Sequence, residues 1–158
     1  MRRTTVGFSV TVLAAAVVGL AVSTYLTVSH YQGVPLACTV NSLVDCAAVT
    51  SSSFSVIPTT SIPISILGMA WSVISGGLAA VVIWRSPGAL ITWIQALWGA
   101  AGMLFVLYLV YAELLVIHRI CEWCTVLHIA VLITFLMGLA QVSSASRRDS
   151  SSVVPEHC

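Results

Sequence analysis

The residues of this chain best suited to chemistry are four cysteines in two pairs. Cys121 and Cys124 form a C-E-W-C motif at the start of the last apolar segment, and Cys38 and Cys46 lie in the longest polar loop. A CxxC motif at a helix start brings two thiols within disulfide range, and the helix N-terminus favours a thiolate. Two such pairs facing one oxidising compartment would be suited to passing electrons by thiol–disulfide exchange.

The composition indicates that much of the chain is solvated by lipid. Of its 158 residues, 59% are hydrophobic and only 7% are charged, whereas soluble domains carry about 25% charged residues. The net charge of +1, without a basic run, excludes the electrostatic footprint of a nucleic-acid-binding protein. The bilayer is therefore the first expected partner.

Four apolar segments are long enough to cross a hydrocarbon core as helices. They predict an all-α integral membrane protein, a four-transmembrane-helix bundle with a long extracytoplasmic loop between helices 1 and 2. Residues 143–158 are predicted to form a disordered cytoplasmic tail, in which Cys158 is a free cysteine. A cleaved signal peptide over residues 1–25 is the alternative for the first segment. The predicted helices cover residues 6–29, 62–84, 88–112 and 122–142.

The arginines predict the orientation. Only Arg119 falls on the face that carries the cysteine pairs, and the positive-inside rule makes the opposite face cytoplasmic. We therefore expect a multi-pass plasma-membrane protein whose termini are both cytoplasmic and whose cysteine pairs face outwards, where disulfides persist. The arginines on the predicted cytoplasmic face are Arg2, Arg3, Arg85, Arg147 and Arg148.

The loop pair has two interpretations. Cys38 and Cys46 are separated by seven residues, which a flexible loop can bridge either as a redox-active or as a static disulfide. The stretch from Asp45 to Val49 is predicted to form a short surface helix, with Asp45 at its N-terminus, where a carboxylate is favourable. A zinc site is a third possibility, but the usual C-x2-C spacing occurs only once.

Ionisable and aromatic residues near the CxxC motif are weaker candidates. His128 follows Cys124 by one helical turn, so the two share a face, and an ionisable residue within a span is a functional candidate. Glu113 and Glu122 are expected to be solvated groups at the rim. Packing or interfacial roles are expected for Trp71, Trp93, Trp98 and Trp123.

The arrangement resembles the vitamin K epoxide reductase family of membrane oxidoreductases. The order of the cysteines, loop pair first and CxxC second, separates this family from the disulfide bond formation protein B family, in which the order is reversed. The resemblance covers nearly the whole chain to about Val142. It is carried by Cys38, Cys46, the stretch Val49-Thr50-Ser51-Ser52, the stretch Ile62-Pro63-Ile64-Ser65-Ile66-Leu67-Gly68, and Ile120-Cys121-Glu122-Trp123-Cys124.

The resemblance implies a four-helix bundle around a quinone co-substrate. It implies that Cys124 lies next to the quinone ring, that Cys121 exchanges with Cys46, and that Cys38 exchanges with the partner. The helix N-terminus is expected to stabilise the Cys124 thiolate, and Ser52 is expected to lie near the quinone. His128 is the third predicted quinone-binding residue.

The chain departs from the family pattern at two positions. Vertebrate members carry a tyrosine and an asparagine where this chain has His128 and Ile64, which favours quinone reduction over vitamin K epoxide reduction. No fused thioredoxin-like domain accompanies the motif, so the resemblance implies a separate thioredoxin-fold partner in oxidative protein folding. The alternatives from other classes are a soft-metal carrier that uses the cysteine pairs and a structural subunit with two inert disulfides.

Overall fold

The computed structural model of the chain describes residues 2–85 and 89–152, and these residues form a helical bundle. Within those ranges, four helices are long and apolar enough to cross a membrane, and the only β-pairings are two isolated bridges. The predicted all-α, four-helix membrane fold is confirmed. The helices are α1 (Arg2–Gln32), α2 (Cys46–Thr50), α3 (Ser65–Trp84), α4 (Ala89–Tyr111) and α5 (Glu122–Ser152), of which α2 is a short loop helix.

Several helix boundaries differ from the prediction, and α1 is longer at both ends, Arg2–Gln32 instead of residues 6–29. The last helix continues to Ser152, so the prediction of a disordered tail is wrong for residues 143–152, while Cys158 lies outside the described residues. Helix α3 begins at Ser65 rather than at residue 62, because Pro63 pairs with Val56 in an isolated bridge. Beyond Tyr111, α4 continues as a π-helical segment, Ala112–Ile117.

The long helices pack through small residues. Helix α1 lies along α3 and α5, and α5 also lies along α4. A Cβ atom on Gly68 would lie 2.6 Å from Ser23 Oγ, and one on Gly19 would lie 2.8 Å from Ser72 Oγ. These pairs run in opposite directions along the two helices, so α1 and α3 are antiparallel. Close approach through small residues is the usual packing of helices in lipid.

Helices α4 and α5 make the tightest backbone contact at Gly99. A Cβ atom there would lie 2.9 Å from Phe135 Cα, which belongs to the backbone and cannot rotate away. One turn further, a Cβ atom on Gly138 would lie 3.0 Å from Ala96 Cα. The crossing of α4 and α5 therefore requires glycine at both positions.

Gly99→Ala is expected to lower the free energy of unfolding by about 1–3 kcal/mol, because the added methyl group must push the α4 and α5 backbones apart. Thermal unfolding in detergent measures the loss. Gly77→Ala is the matched control, since nothing lies within 4 Å of a Cβ atom at Gly77. Equal melting temperatures for the two variants would contradict this account of the crossing.

The loop between α1 and α3 carries the predicted short helix. Helix α2 begins directly after Asp45, whose Oδ1 accepts a hydrogen bond of 3.0 Å from the backbone N–H of Ala48. This is an ordinary N-cap, and it confirms the predicted helix and the role of Asp45. A single 3-10 turn, Ser53–Ser55, then leads towards α3. The cap fixes the orientation of Cys46, the first residue of α2.

Candidate active site

The loop that carries Cys38 and Cys46 is paired with the segment that precedes α5. Val44 and Ile120 form a parallel bridge, in which Asp45 N–H donates to Ile120 O (3.1 Å) and Ile120 N–H donates to Leu43 O (2.9 Å). Arg119 also donates to the carbonyl of Ser42. The two cysteine pairs, which are far apart in the sequence, therefore meet at one end of the bundle.

The two residues inside the CxxC motif hold the other arm of the loop. The indole N–H of Trp123 donates to Ala37 O (2.8 Å), and Glu122 Oε2 accepts from Thr39 N–H (3.3 Å). The ring of Trp123 packs edge-on against Tyr25, with centroids 4.9 Å apart, and Tyr25 OH accepts from Ala37 N–H. Trp123 thus ties α1, the loop and α5 together, a role more specific than the predicted packing.

Cys46 and Cys121 lie together in a small apolar core. Cys46 is 1% exposed and Cys121 0% exposed, and both pack against Val49, with Cys38 and Cys124 at the edge of the cluster. Cys38 and Cys46 form a disulfide, whereas Cys121 and Cys124 are free thiols. The buried half of the loop disulfide and the buried thiol of the CxxC motif therefore share one apolar core.

The N-terminus of α5 favours a thiolate at Cys121. The backbone N–H of Cys124 donates to Cys121 Sγ over 3.4 Å, so the sulfur occupies the N-cap acceptor position. Hydrogen bonds from the Cys124 thiol and then the Cys124 backbone lower the pKa of Cys121 below its ordinary value, against the opposing effects of burial and of Glu113. We expected the helix N-terminus to stabilise a Cys124 thiolate, but its backbone N–H donates a hydrogen bond to the Cys121 sulfur instead.

A titration of Cys121 tests this assignment. With Cys38, Cys46 and Cys158 replaced by serine, Cys124→Ser and Cys124→Ala each leave Cys121 as the single thiol. A serine hydroxyl still donates to the Cys121 sulfur, so the thiolate should persist to low pH, whereas alanine removes this donor and should move the thiolate midpoint to higher pH. Thiolate ultraviolet absorbance against pH measures both midpoints, and coincident curves would contradict the account.

A cavity of about 370 Å³ lies beside the CxxC motif, between the loop and the four long helices. Its size and its largely apolar wall, with a few polar groups, are those of a small-molecule site. Phe54, in the 3-10 turn of the loop, closes one side, and its ring lies 6.4 Å from that of Tyr108. The loop thus contributes both a disulfide and part of the cavity wall.

The three residues predicted to bind a quinone all line this cavity. Cys124 and His128 lie one turn apart on α5, and His128 is 9% exposed. Ser52 reaches the cavity from the loop, where its hydroxyl donates to Val49 O over 2.7 Å. Ile64 also lines the cavity. Cys38, Cys46 and Cys121 do not line the cavity. They lie in and around the apolar core formed by Cys46, Val49 and Cys121, the cysteine core.

Glu113 belongs to this site, although the sequence led us to expect a solvated rim group. It is 6% exposed and lines the cavity, and its carboxyl group interacts with the Cys124 thiol and with the Cys121 backbone N–H. The predicted helix ended at residue 112, five residues before the end of the π-helical segment at Ile117, and this placed Glu113 at the outer rim. The sequence does contain a signal that could have identified Glu113 as a site residue, namely a carboxylate at the end of an apolar segment. Ionisable residues within membrane spans are functional candidates by default.

The aromatic residues named from the sequence divide into three groups. Trp71 and Trp98 line the cavity, and Trp98 donates to Ser75 Oγ over 3.1 Å. Trp93 is 55% exposed on the outer surface of α4. The third group is Trp123, which holds the loop against α5. Only the first two therefore contribute to the wall of the cavity.

Comparison with known proteins agrees with this geometry. A sequence model of the vitamin K epoxide reductase family matches residues 10–139, which include both cysteine pairs, all of α3 and α4, more than half of α1 and of α5, and every residue that lines the cavity. A comparison with curated proteins gives no match. Membership of such a family implies an oxidoreductase that acts through cysteines in a membrane. Because the match covers most of the chain, this protein belongs to the vitamin K epoxide reductase family.

Proposed function

We propose that this protein is a quinone-dependent thiol–disulfide oxidoreductase that generates disulfides for a thioredoxin-fold protein in oxidative protein folding. The observation that carries the proposal is the position of the CxxC motif between two features. Cys121 packs against the loop disulfide through Cys46, and Cys124 lines the cavity. Electrons entering at the loop pair therefore have a route to a substrate in the cavity.

The chemistry and shape of the cavity support a quinone as the oxidant. A quinone ring and its isoprenoid tail are apolar, and the wall is largely apolar, with Ser52, His128 and Glu113 among the few groups that could bond a carbonyl oxygen. The Ser52 hydroxyl, which donates to Val49 O, would have to turn towards the ligand to donate to it. Such donors stabilise negative charge that develops on oxygen.

The first step is oxidation of the partner at the loop pair. A partner thiolate attacks Cys38, which is half-buried, and the Cys46 thiolate leaves towards the cysteine core. The second partner thiol then attacks the mixed disulfide, so the partner leaves as a disulfide and Cys38 and Cys46 remain as thiols. Access favours attack at Cys38 because Cys46 is 1% exposed and thiol–disulfide exchange requires access to the attacked sulfur.

The second step moves the disulfide between the two pairs. Cys46 attacks Cys121 of the oxidised CxxC motif and releases Cys124, and Cys38 then attacks Cys46 to restore the loop disulfide and release Cys121. The structure has this arrangement of bonds: a disulfide between Cys38 and Cys46, and free thiols at Cys121 and Cys124. The reduced CxxC pair then gives two electrons and two protons to the quinone and becomes a disulfide.

The proposal also assigns the orientation. The end of the bundle that carries the cysteines lies outside the cytoplasm, both termini are cytoplasmic, and residues 1–142 form the catalytic membrane domain. The membrane is the plasma membrane, because a secreted thioredoxin-fold partner must reach Cys38. Labelling of an introduced loop cysteine in intact cells by an impermeant maleimide tests this orientation.

Quinone reduction by the purified protein tests the function. With dithiothreitol as donor and a short-chain naphthoquinone or benzoquinone as acceptor, we expect catalytic formation of hydroquinone, and separate assays with the corresponding epoxide should show little turnover. Stoichiometric metal binding by the reduced protein without quinone reduction would instead support a metal carrier. Absence of both activities would favour a structural subunit with inert disulfides.

A further inference from the structure

Glu113 occupies the start of the π-helical segment that ends α4. The backbone N–H groups of His118 and Arg119 both donate to the Glu113 carbonyl, which closes the segment. Turns of this type add a residue to the helix and recur at functional sites. Here the segment keeps the Glu113 side chain 6% exposed within a membrane-spanning helix.

The Glu113 side chain lines the main cavity together with Cys124, the thiol that the proposal places at the quinone. It interacts with the Cys124 side chain and with the Cys121 backbone N–H, and its charge acts on the Cys121 thiol as well. Glu113 also lines a second cavity of about 290 Å³ between α4 and α5, and His128 lines both cavities. The carboxyl group is therefore beside a reacting sulfur and in the wall between two cavities.

The two thiols of the CxxC motif differ in which one loses its proton more readily. Cys121 is the favoured thiolate, because it accepts hydrogen bonds from the Cys124 thiol and from the Cys124 backbone. Cys124 therefore keeps the proton that it donates to the Cys121 sulfur. When the two sulfurs bond to each other, Cys121 no longer accepts this proton, which must then go to a base. Of the described residues, Glu113 is the one carboxylate that lines the main cavity with Cys124.

We infer that Glu113 is a catalytic residue that accepts the Cys124 proton and delivers it to a quinone oxygen in the main cavity. The inference rests on the proposed function and adds the proton route. A bond forms between Cys121 and Cys124, two electrons pass to the quinone, and the Cys124 S–H bond breaks towards the Glu113 carboxylate. Glu113 then protonates one quinone oxygen, and water supplies the proton for the other.

Glu113→Gln keeps the shape and the hydrogen-bonding oxygen but removes the base. Because general acid–base catalysis contributes about 10²–10⁴-fold, we expect kcat for naphthoquinone reduction to fall by roughly 10²-fold, with little change in KM. The matched control is Asp149→Asn, the same exchange of a carboxylate for an amide near the C-terminal end of α5. This position is 25 residues beyond Cys124 in the same helix, so we expect wild-type turnover.

The pH profile separates proton transfer from a structural effect. Glu113 must be ionised to accept a proton, so wild-type kcat should fall as the pH falls through the Glu113 titration, whereas Glu113→Gln should lack this acid limb. His118 and Arg119 directly follow the π-helical segment, but their side chains bond to Leu114 O and Ser42 O, respectively. The other titratable groups that face the site are Cys121 just before α5, Cys124 and His128 on α5, and His30 on α1.

The outcomes distinguish the two proposals. An active wild type with a Glu113→Gln variant of equal kcat would overturn the role of Glu113 and leave the proposed function standing. A lower kcat with an unchanged acid limb would also overturn it, since the loss would then be structural. A wild type that reduces no quinone would overturn the proposed function and, with it, the role of Glu113.

Discussion

Cys124→Ala is expected to lower the quinone reductase activity by roughly 10³-fold or more, as the loss of a reacting nucleophile does in other enzymes. Cys124 is the cysteine of the four that lines the cavity, so no other thiol in the site can replace it at the quinone. Cys121 remains in this variant, but it is fully buried in the cysteine core. Turnover with dithiothreitol and a short-chain naphthoquinone measures the loss.

The control for this variant is Cys158→Ser, which changes a cysteine far from the motif in the sequence and should leave kcat unchanged. Folding of Cys124→Ala is checked by its melting temperature, because only one sulfur is removed from a half-buried side chain. Wild-type turnover by a folded Cys124→Ala protein would show that the quinone is reduced elsewhere.

Cys46→Ser and Cys38→Ser are expected to react very differently with the partner. In Cys46→Ser the free thiol is the half-buried Cys38, and in Cys38→Ser it is Cys46, which is 1% exposed. Since thiol exchange requires access to the attacking sulfur, we expect the Cys46 thiol to react at least roughly 10-fold more slowly than the Cys38 thiol. The partner for this test is a thioredoxin-fold protein with one cysteine, activated as a thionitrobenzoate mixed disulfide.

Each reaction releases one thionitrobenzoate as the partner becomes linked to the free loop thiol, so its absorbance gives both rates. Both variants carry Cys121→Ser and Cys124→Ser, so that no CxxC thiol competes. Faster linkage at Cys46 than at Cys38 would reverse the direction proposed for the shuttle. Equal rates would mean that the loop leaves its place on α5 before the partner binds.

The sequence was sufficient to predict the bundle and the meeting of the cysteine pairs. Apolar length determines the number of spans, and an even number of crossings between the loop and the CxxC motif places both at one end of the bundle. Asp45 was recognisable as an N-cap because carboxylates favour that position. These features depend on local composition and on topology, both of which can be read from the amino-acid sequence alone.

The details of the site depend on contacts that the sequence does not display. The π-helical segment shifts the end of α4 by six residues and turns Glu113 from an expected rim group into a buried neighbour of Cys124. Cys121 is the favoured thiolate because it accepts hydrogen bonds from the Cys124 thiol and from the Cys124 backbone N–H. Trp123 was expected only to pack, and its bond to Ala37 O could not be predicted without the position of the loop.

The most direct test of the account is a single turnover by protein in which Cys38, Cys46 and Cys158 are replaced by serine. After reduction and removal of the reductant, the protein is mixed with a short-chain naphthoquinone, and hydroquinone and disulfides are quantified together. We predict one Cys121–Cys124 disulfide, identified by mass spectrometry of peptides, for each hydroquinone formed. Hydroquinone formed while Cys121 and Cys124 remain thiols, or a protein that stays reduced in excess quinone, would contradict the account.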